Sequence, residues 1–184
     1  MIIGLVGTIG AGKGMCAEYL GKKGFEYHSL SDEIRAELKS RGLPETRELL
    51  TSVGNDLRTK FGTGILAQRV LNKIVPGKDY VVDSIRNPEE VRKLQSRPDF
   101  VLIKIDAPAR VRFDRIRARA RTGDVRTFDQ FFAQEKMETD STNPNKQRLQ
   151  ATAAMAQYTL MNDATLEILY QRIDKLLNQL SERK

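Results

Sequence analysis

Residues 1–20, MIIGLVGTIGAGKGMCAEYL, constrain the chain more than any other stretch. Ile2–Val6 is a short apolar run suited to a buried parallel strand, and a helix-compatible run begins near Lys13. Between them lies Gly7-Thr8-Ile9-Gly10-Ala11-Gly12-Lys13-Gly14, with the spacing Gly-x-x-x-x-Gly-Lys in the strand–loop–helix setting that a phosphate loop requires. Gly7, Gly10 and Gly12 let the backbone approach closely, so that successive N–H groups can point at a phosphate. The helix N-terminus adds its partial positive charge. Lys13 brings a mobile full charge for the outer phosphates. Gly14 stands where such loops usually place a Ser or Thr on Mg²⁺, and Met15 follows it. The spacing predicts a nucleotide phosphate site over residues 7–15.

A length of 184 residues suits one domain with a sizeable core. Apolar residues at 40% and charged ones at 30% describe a folded chain, not a disordered one. The single cysteine, Cys16, excludes an internal disulfide and suits a reducing cytoplasm; it reads as a small apolar filler. No apolar run approaches the roughly 20 residues that span a bilayer, and the start carries no charged n-region, so neither membrane insertion nor a signal peptide is expected.

The net charge of +7 is concentrated locally. Residues 107–126 hold Arg110, Arg112, Arg115, Arg117, Arg119, Arg121 and Arg126 against Asp114 and Asp124. Clustering of this kind fits either nucleic acid or an anionic small molecule. No aromatic stacking motif accompanies the arginines and Trp is absent, which makes nucleic acid the weaker choice.

Apolar runs and helical patterns alternate along the whole chain. Strands are expected at Phe25–Ser29, Tyr80–Asp83, Phe100–Ile105 and Tyr158–Met161. Ser31 is placed to cap a helix over Asp32–Ser40, a further helix starts at Pro44 and Thr46, and Ile65–Ile74 resumes the pattern after Gly62 and Gly64. Asn87-Pro88-Glu89-Glu90 and Thr127-Phe128-Asp129-Gln130 are helix starts with capping residues. A long Arg-rich helix breaks at Thr122-Gly123-Asp124, and Asp140–Lys146 is a polar loop. Leu166, Leu169, Ile173, Leu176, Leu177 and Leu180 form an apolar stripe of core type on the last helix. The pattern predicts a three-layer α/β domain, a five-stranded parallel sheet with helices on both faces. Ligands then gather at the carboxyl rim, where Gly7, Ser29, Asp83, Asp106 and Asn162 follow their strands.

Several side chains near that rim suit phosphate chemistry. Asp83 closes an apolar strand as an acid assisting Mg²⁺ would, and the Ser84 that follows weakens a hydrolase reading. Asp32 and Arg35 follow the second strand and Arg86 the third, where they would hold a phosphate- or hydroxyl-bearing acceptor. Arg47, Asn55 and Arg58 lie on one helix as either acceptor contacts or a solvated face. Arg115 and Arg119 share a face at i, i+4 and could close over a nucleotide as a lid; Arg117 and Arg121 point the other way. The bland alternative is a basic surface helix paired with Glu135 and Glu138. His28 reads as a packed or surface residue.

Together these residues resemble the nucleoside monophosphate kinase family in the broad sense, with dephospho-coenzyme A kinases and deoxynucleoside monophosphate kinases nearest. IIGLVGTIGAGKG is similar to the dephospho-coenzyme A kinase opening, and Lys13-Gly14 to the Lys-Gly of adenylate kinases, with Met15 where a Thr is normal there. SLSDEIR looks like the acceptor-side segment, which places Asp32 and Arg35 near the substrate. TRELLTSVGNDLRTKFG and VVDSIRNPEE look more like deoxynucleoside monophosphate kinases, and imply Arg47, Arg58 and Arg86 as ligands of an acceptor phosphate. Arg115 and Arg119 match lid arginines, and MNDATLEIL resembles an adenine loop carried by Asn162, Asp163 and Ala164, with Ala164 replacing a Gly. The resemblance implies a P-loop nucleoside triphosphate hydrolase fold over residues 1–184, with a helical acceptor-binding insertion at about 31–75 and an Arg-rich lid at about 110–140. It implies a cytoplasmic ATP- and Mg²⁺-dependent kinase, monomer or homodimer. Lys13, Asp83, Arg115 and Arg119 would act in transfer, with Asp83 on the metal's water shell. The acceptor would be a nucleoside or deoxynucleoside monophosphate, or alternatively the ribose 3'-hydroxyl of dephospho-coenzyme A with Asp32 as base. A nucleotide-dependent module acting on nucleic acid is the remaining alternative.

Overall fold

The computed structural model describes residues 1–119, 127–139, 143 and 145–182. Its elements run β1 (Ile2–Val6), α1 (Lys13–Lys22), β2 (Glu26–Ser29), α2 (Leu30–Ser40), α3 (Arg47–Phe61), α4 (Ile65–Leu71) and β3 (Tyr80–Asp83). They continue with α5 (Pro88–Leu94), β4 (Phe100–Asp106), α6 (Ala109–Arg119), α7 (Phe128–Thr139), α8 (Leu149–Ala153), β5 (Tyr158–Met161) and α9 (Leu166–Ser181). The strands form one sheet in the order β2-β3-β1-β4-β5, with every neighbouring pair parallel. Among the described residues no helix is long and apolar enough to cross a membrane.

The layers follow from strand alternation. β1 is buried along its whole length. Ile2 and Val6 join Tyr80, Val82 and Leu102 in a core covered by α2–α5 and α8. Ile3 and Leu5 join Val81, Ile103 and Ile105 on the opposite face, under α1 and α9. Leu169, Ile173, Leu176 and Leu180 of α9 are buried there, as the stripe predicts. Each contributes about 1.5–3 kcal/mol by leaving water. A third, smaller cluster joins Phe113 and Ile116 of α6 to Phe131 of α7, and Ile9 of the phosphate loop packs against it.

Chain order then sets the place for a ligand. β1 connects toward β2 on one side, whereas β3 connects to β4 on the other. The carboxyl ends of β1 and β3 therefore flank a topological switch point, where α/β sheets open a crevice. Gly7 follows β1, and Asp83 ends β3 one residue past the Gly4–Val82 register pair.

Local starts and stops differ from expectation in a few places. Phe25 stays outside β2 because its N–H returns to the Leu20 carbonyl, so the ladder begins at Glu26 with a bond to Asp79. The cap of α2 is Ser29, whose Oγ accepts from the Ser31 N–H, and the helix starts two residues before Asp32. α4 stops at Leu71 because Lys73 and Ile74 bond back by three residues, to Val70 and Leu71, and tighten the chain into a turn. The capping boxes at Asn87 and Thr127 both form. The expected break at Thr122-Gly123-Asp124, Arg121, Arg126 and most of Asp140–Lys146 lie outside the described residues.

One buried ion pair joins α3 to α5 and, through α5, to the segment that follows β3. Arg58 on α3 donates from Nε and Nη2 to Glu90 Oε1, at 3.0 and 2.8 Å, with both side chains buried. The other oxygen of Glu90 accepts from the backbone N–H groups of Arg86 and Asn87, at 2.8 and 3.0 Å. Arg58→Met removes the cation and leaves a buried carboxylate without its charge partner. It is expected to lower the unfolding free energy by about 3 kcal/mol, measured by urea denaturation; a loss below about 1 kcal/mol would reduce the pair to a surface-like contact.

Candidate active site

The phosphate loop is shaped by close packing from behind. Gly12, the cap of α1, has φ 101°, and a Cβ there would fall 2.1 Å from Asn162 Nδ2. A Cβ on Gly10 would fall 2.6 Å from the Arg112 carbonyl oxygen. α1 starts with no side-chain cap and no acid in its first turn, which leaves its N-terminus to an anion. Lys13 Nζ donates to the Gly7 and Thr8 carbonyls at 2.7 and 3.3 Å, so its charge already lies over the loop. Thr8 and the fully buried Ala11 serve through their backbone, joined by a 3.2 Å bond from the Ala11 N–H to the Thr8 carbonyl. Gly14 is exposed, and a Cβ there would meet nothing.

The loop opens into a cleft of about 1670 Å³. Gly7, Ile9, Gly10 and Gly12–Met15 form one wall with Asp83, Arg115 and Arg119. Arg35, Arg47, Asn55, Arg58 and Arg86 line the rest, so most of the residues singled out in the sequence face one space. Three of them carry a buried polar atom with no hydrogen-bond partner: Asp83 Oδ1, Arg115 Nη1 and Asn55 Oδ1. A buried group left unpaired costs about 1–3 kcal/mol, and orphans of this kind mark where a ligand completes a site.

Arg115 is positioned through Asn162, which is buried. Arg115 Nη2 donates to Asn162 Oδ1 at 3.2 Å, and Asn162 Nδ2 donates to the Ala11 carbonyl at 2.9 Å. The Asn162 N–H bonds to the Asp106 carbonyl at 2.7 Å. The Asn162 amide is thus engaged at both ends and links the phosphate loop to Arg115. Asp163 is exposed and paired with Arg172 at 2.7 Å, which holds its carboxyl below the usual range. Ala164 is also exposed, and neither residue lines the cleft.

Arg58 lines the cleft, with its Nε and Nη2 engaged by Glu90. Arg35 donates to Glu45 and Asp32, both at 2.7 Å, in an exposed cluster at the cleft's lip. Asp32 is held by that pair and is not among the residues that line the cleft. Arg86 remains well placed: its backbone is fixed by Glu90, and Nη1 donates to Gln147 Oε1 at 3.0 Å.

Other participants were not legible in the sequence. Arg112 is buried, donating from Nε to the Ala107 carbonyl at 2.9 Å and from Nη1 to the Ile9 carbonyl at 3.4 Å. It also pairs with Glu135 and lies over the Phe131 ring, tying loop, α6 and α7 together. An apolar Ile9 in a loop otherwise small and polar is the one signal that this loop packs against something. Ser84 lines the cleft at φ 63°, the sole non-glycine positive φ among the described residues, which fits stored strain at a functional site. His28 stacks on Tyr80 with centroids 5.6 Å apart, a packing role. Burial pushes the Cys16 thiol up to about 12, and so it is inert filler.

Gly14 and Met15 offer no hydroxyl to a metal, and among the described residues no three His, Cys, Asp or Glu stand together. Asp83, with its unpartnered oxygen on the cleft, is the residue that fits Mg²⁺. It would act through water, which Mg²⁺ tends to retain beside substrate phosphates.

The profile of the AAA domain family matches residues 3–143. A UPF0200 protein of Pyrococcus horikoshii is 30% identical over 187 residues, covering 98% of this chain and 97% of that protein. Among solved structures, TT1252 from Thermus thermophilus superposes with a TM-score of 0.62 at 20% identity, covering 98% of this chain and 97% of that one. A shikimate kinase from Aquifex aeolicus superposes with a TM-score of 0.54 at 16% identity, covering 98% of each chain. The chain thus shares its fold with these solved structures, a shikimate kinase among them.

Gly12 and Gly14 should respond oppositely to a side chain. Gly12→Ala forces a left-handed φ and a clash with Asn162, and is expected to lower the melting temperature by several degrees. Gly14→Ser enters open space in a helix that disfavours Gly, and is expected to leave that temperature unchanged or raise it. Thermal unfolding of both proteins checks this; equal losses would contradict it.

Proposed function

The chain belongs to the AAA domain family and to the UPF0200 family, and from that premise we propose that it is an ATP-dependent small-molecule kinase. Its acceptor is a nucleoside or deoxynucleoside monophosphate. One observation carries the reading. Lys13, the unpartnered Arg115 Nη1 and the unpartnered Asp83 Oδ1 border one cleft, at the sheet's switch point.

The N–H groups at the start of α1 hold the ATP phosphates, and Lys13 exchanges the Gly7 and Thr8 carbonyls for β/γ-phosphate oxygens. Asp83 would hold Mg²⁺ through water, and the bound ion would supply charge that neutralises those phosphates. An oxygen of the acceptor phosphate attacks the γ-phosphorus while the bond to the β,γ-bridging oxygen breaks. Arg115 is held by Asn162 before ATP arrives, so its free Nη1 meets the developing charge without reorganising. Arg119, one turn further on α6, lines the same wall and adds its charge. Arg86 holds the acceptor phosphate, with Arg47 farther along the cleft.

The monophosphate is favoured over dephospho-coenzyme A because Asp32, the base that the second acceptor would need, is ion-paired with Arg35 at the cleft's lip and does not itself line the cleft. The deciding experiment is a panel of ribo- and deoxynucleoside monophosphates, with dephospho-coenzyme A and a polynucleotide, scored for ADP formation from ATP and Mg²⁺. Turnover with dephospho-coenzyme A alone would overturn the acceptor assignment. Stimulation by polynucleotide alone would overturn the small-molecule reading.

Two substitutions test the machinery. Lys13→Ala is expected to lower kcat/KM at least about 100-fold in a chain that still folds, since the side chain belongs to none of the buried apolar clusters. Arg119→Ala is expected to lower kcat about tenfold or more while ATP affinity changes little, because the charge it meets grows during transfer. Arg117→Ala is the control: its guanidinium lies 5.9 Å over the Phe113 ring, and its kcat should stay near that of the parent. Equal effects at 117 and 119 would remove Arg119 from the transfer site.

A further inference from the structure

Asn55 presents a different problem from the other two orphaned groups. It lies on α3 with Arg47, Leu50, Thr51 and Arg58 on one helical face along the cleft. Asp83 and Arg115 belong with the phosphate loop, whereas Asn55 belongs to the wall reached by the acceptor. Its Oδ1 is buried and has no hydrogen-bond partner. Arg58, one turn away, is held by Glu90, and Ile34, Leu50 and Leu66 of the same cleft are apolar.

We propose that Asn55 is a specificity-determining residue for the acceptor: its Oδ1 receives a hydrogen bond from an N–H or O–H of the monophosphate whose phosphate lies against Arg86. This rests on the kinase reading above and deepens it. The spacing between the two contacts is built in. Glu90 binds the Arg58 side chain with one oxygen and the Arg86 backbone N–H with the other. One carboxylate therefore fixes the Arg86 contact relative to the helix turn that carries Asn55. An acceptor with a donor at that distance pairs the carbonyl; one without leaves it buried and unpaired, which is how a polar site rejects an analogue. The donor is a sugar hydroxyl or a base N–H, and the two sources are separable.

The test uses the full chain with a non-hydrolysable ATP analogue. Binding of AMP, CMP, GMP, UMP and their 2'-deoxy forms is measured by calorimetry for the parent, Asn55→Leu and Asn55→Ala, beside thermal unfolding without ligand. The expected result is at least tenfold weaker binding of the tightest monophosphate by both variants, with unchanged affinity for the ATP analogue. Their ligand-free melting temperatures should not fall, because the amide they lack has no partner to lose at Oδ1. A preference that disappears between ribo and deoxy forms assigns the donor to the sugar, and one that disappears between bases assigns it to the base. Parent-like binding by either variant would overturn the proposal. So would a fall of more than about 3 °C in both, which would make Asn55 structural. If the parent binds the ATP analogue but none of the monophosphates, the acceptor reading fails first and the proposal falls with it.

Discussion

Backbone N–H groups can face a phosphate only where no side chain stands between, and the region around residues 7–14 is built on that constraint. The glycines meet it from two directions. On the ligand side they leave the loop bare. On the protein side they let β4, β5 and α6 press against it: a Cβ at Gly7 would fall 2.2 Å from the Ile105 carbonyl oxygen, as close as the Asn162 contact behind Gly12. The loop is thus clamped from behind by groups that are themselves fixed. Rigidity of this kind lets dipoles act on a ligand without first reorganising.

From that clamp one half of the cleft extends outward in two short chains of contact. Asn162 links Ala11 to Arg115, and Arg112 links Ile9 to Glu135 on α7. Both run from loop carbonyls to the Arg-rich helix. α6 therefore cannot shift far without disturbing the phosphate loop, and the small cluster of Phe113, Ile116 and Phe131 against Ile9 seals the same junction with apolar contact. The other half of the cleft depends on Glu90. Wholly buried, it combines the capping of α5, the backbone of Arg86 and the charge of Arg58 in one carboxylate.

The cleft carries a large excess of cations, and its stability without ligand comes from partial pairing. Arg35 has Glu45 and Asp32, and Arg58 has Glu90. Pairing is incomplete where chemistry is proposed: Arg115 and Asp83 each keep one buried polar atom unused. Such atoms are destabilising in isolation and favourable once an anion or a hydrated cation meets them. The balance between these paired arginines and the unpaired groups beside the phosphate loop separates holding the cleft open from acting within it.

The local motifs were decided by the sequence. A glycine-lysine loop after an apolar run, the alternation of strands and helices, the capping boxes at Asn87 and Thr127 and the α9 stripe each rest on interactions within a few residues. They give the parallel sheet and the rim on which Asp83 lies. Arg115 and Arg119 were legible for the same reason, because i, i+4 spacing fixes a shared face. What only the tertiary structure decided is which charges remain available. Arg47, Arg58 and Arg86 look alike in sequence, yet Arg58 is neutralised by Glu90, 32 residues away. Nothing near Asn162 in sequence indicates that the fold lays it beside Ala11, 151 residues earlier in the chain. A side chain's type and local spacing set what it can bind; its partners across the fold determine what it has left to bind with.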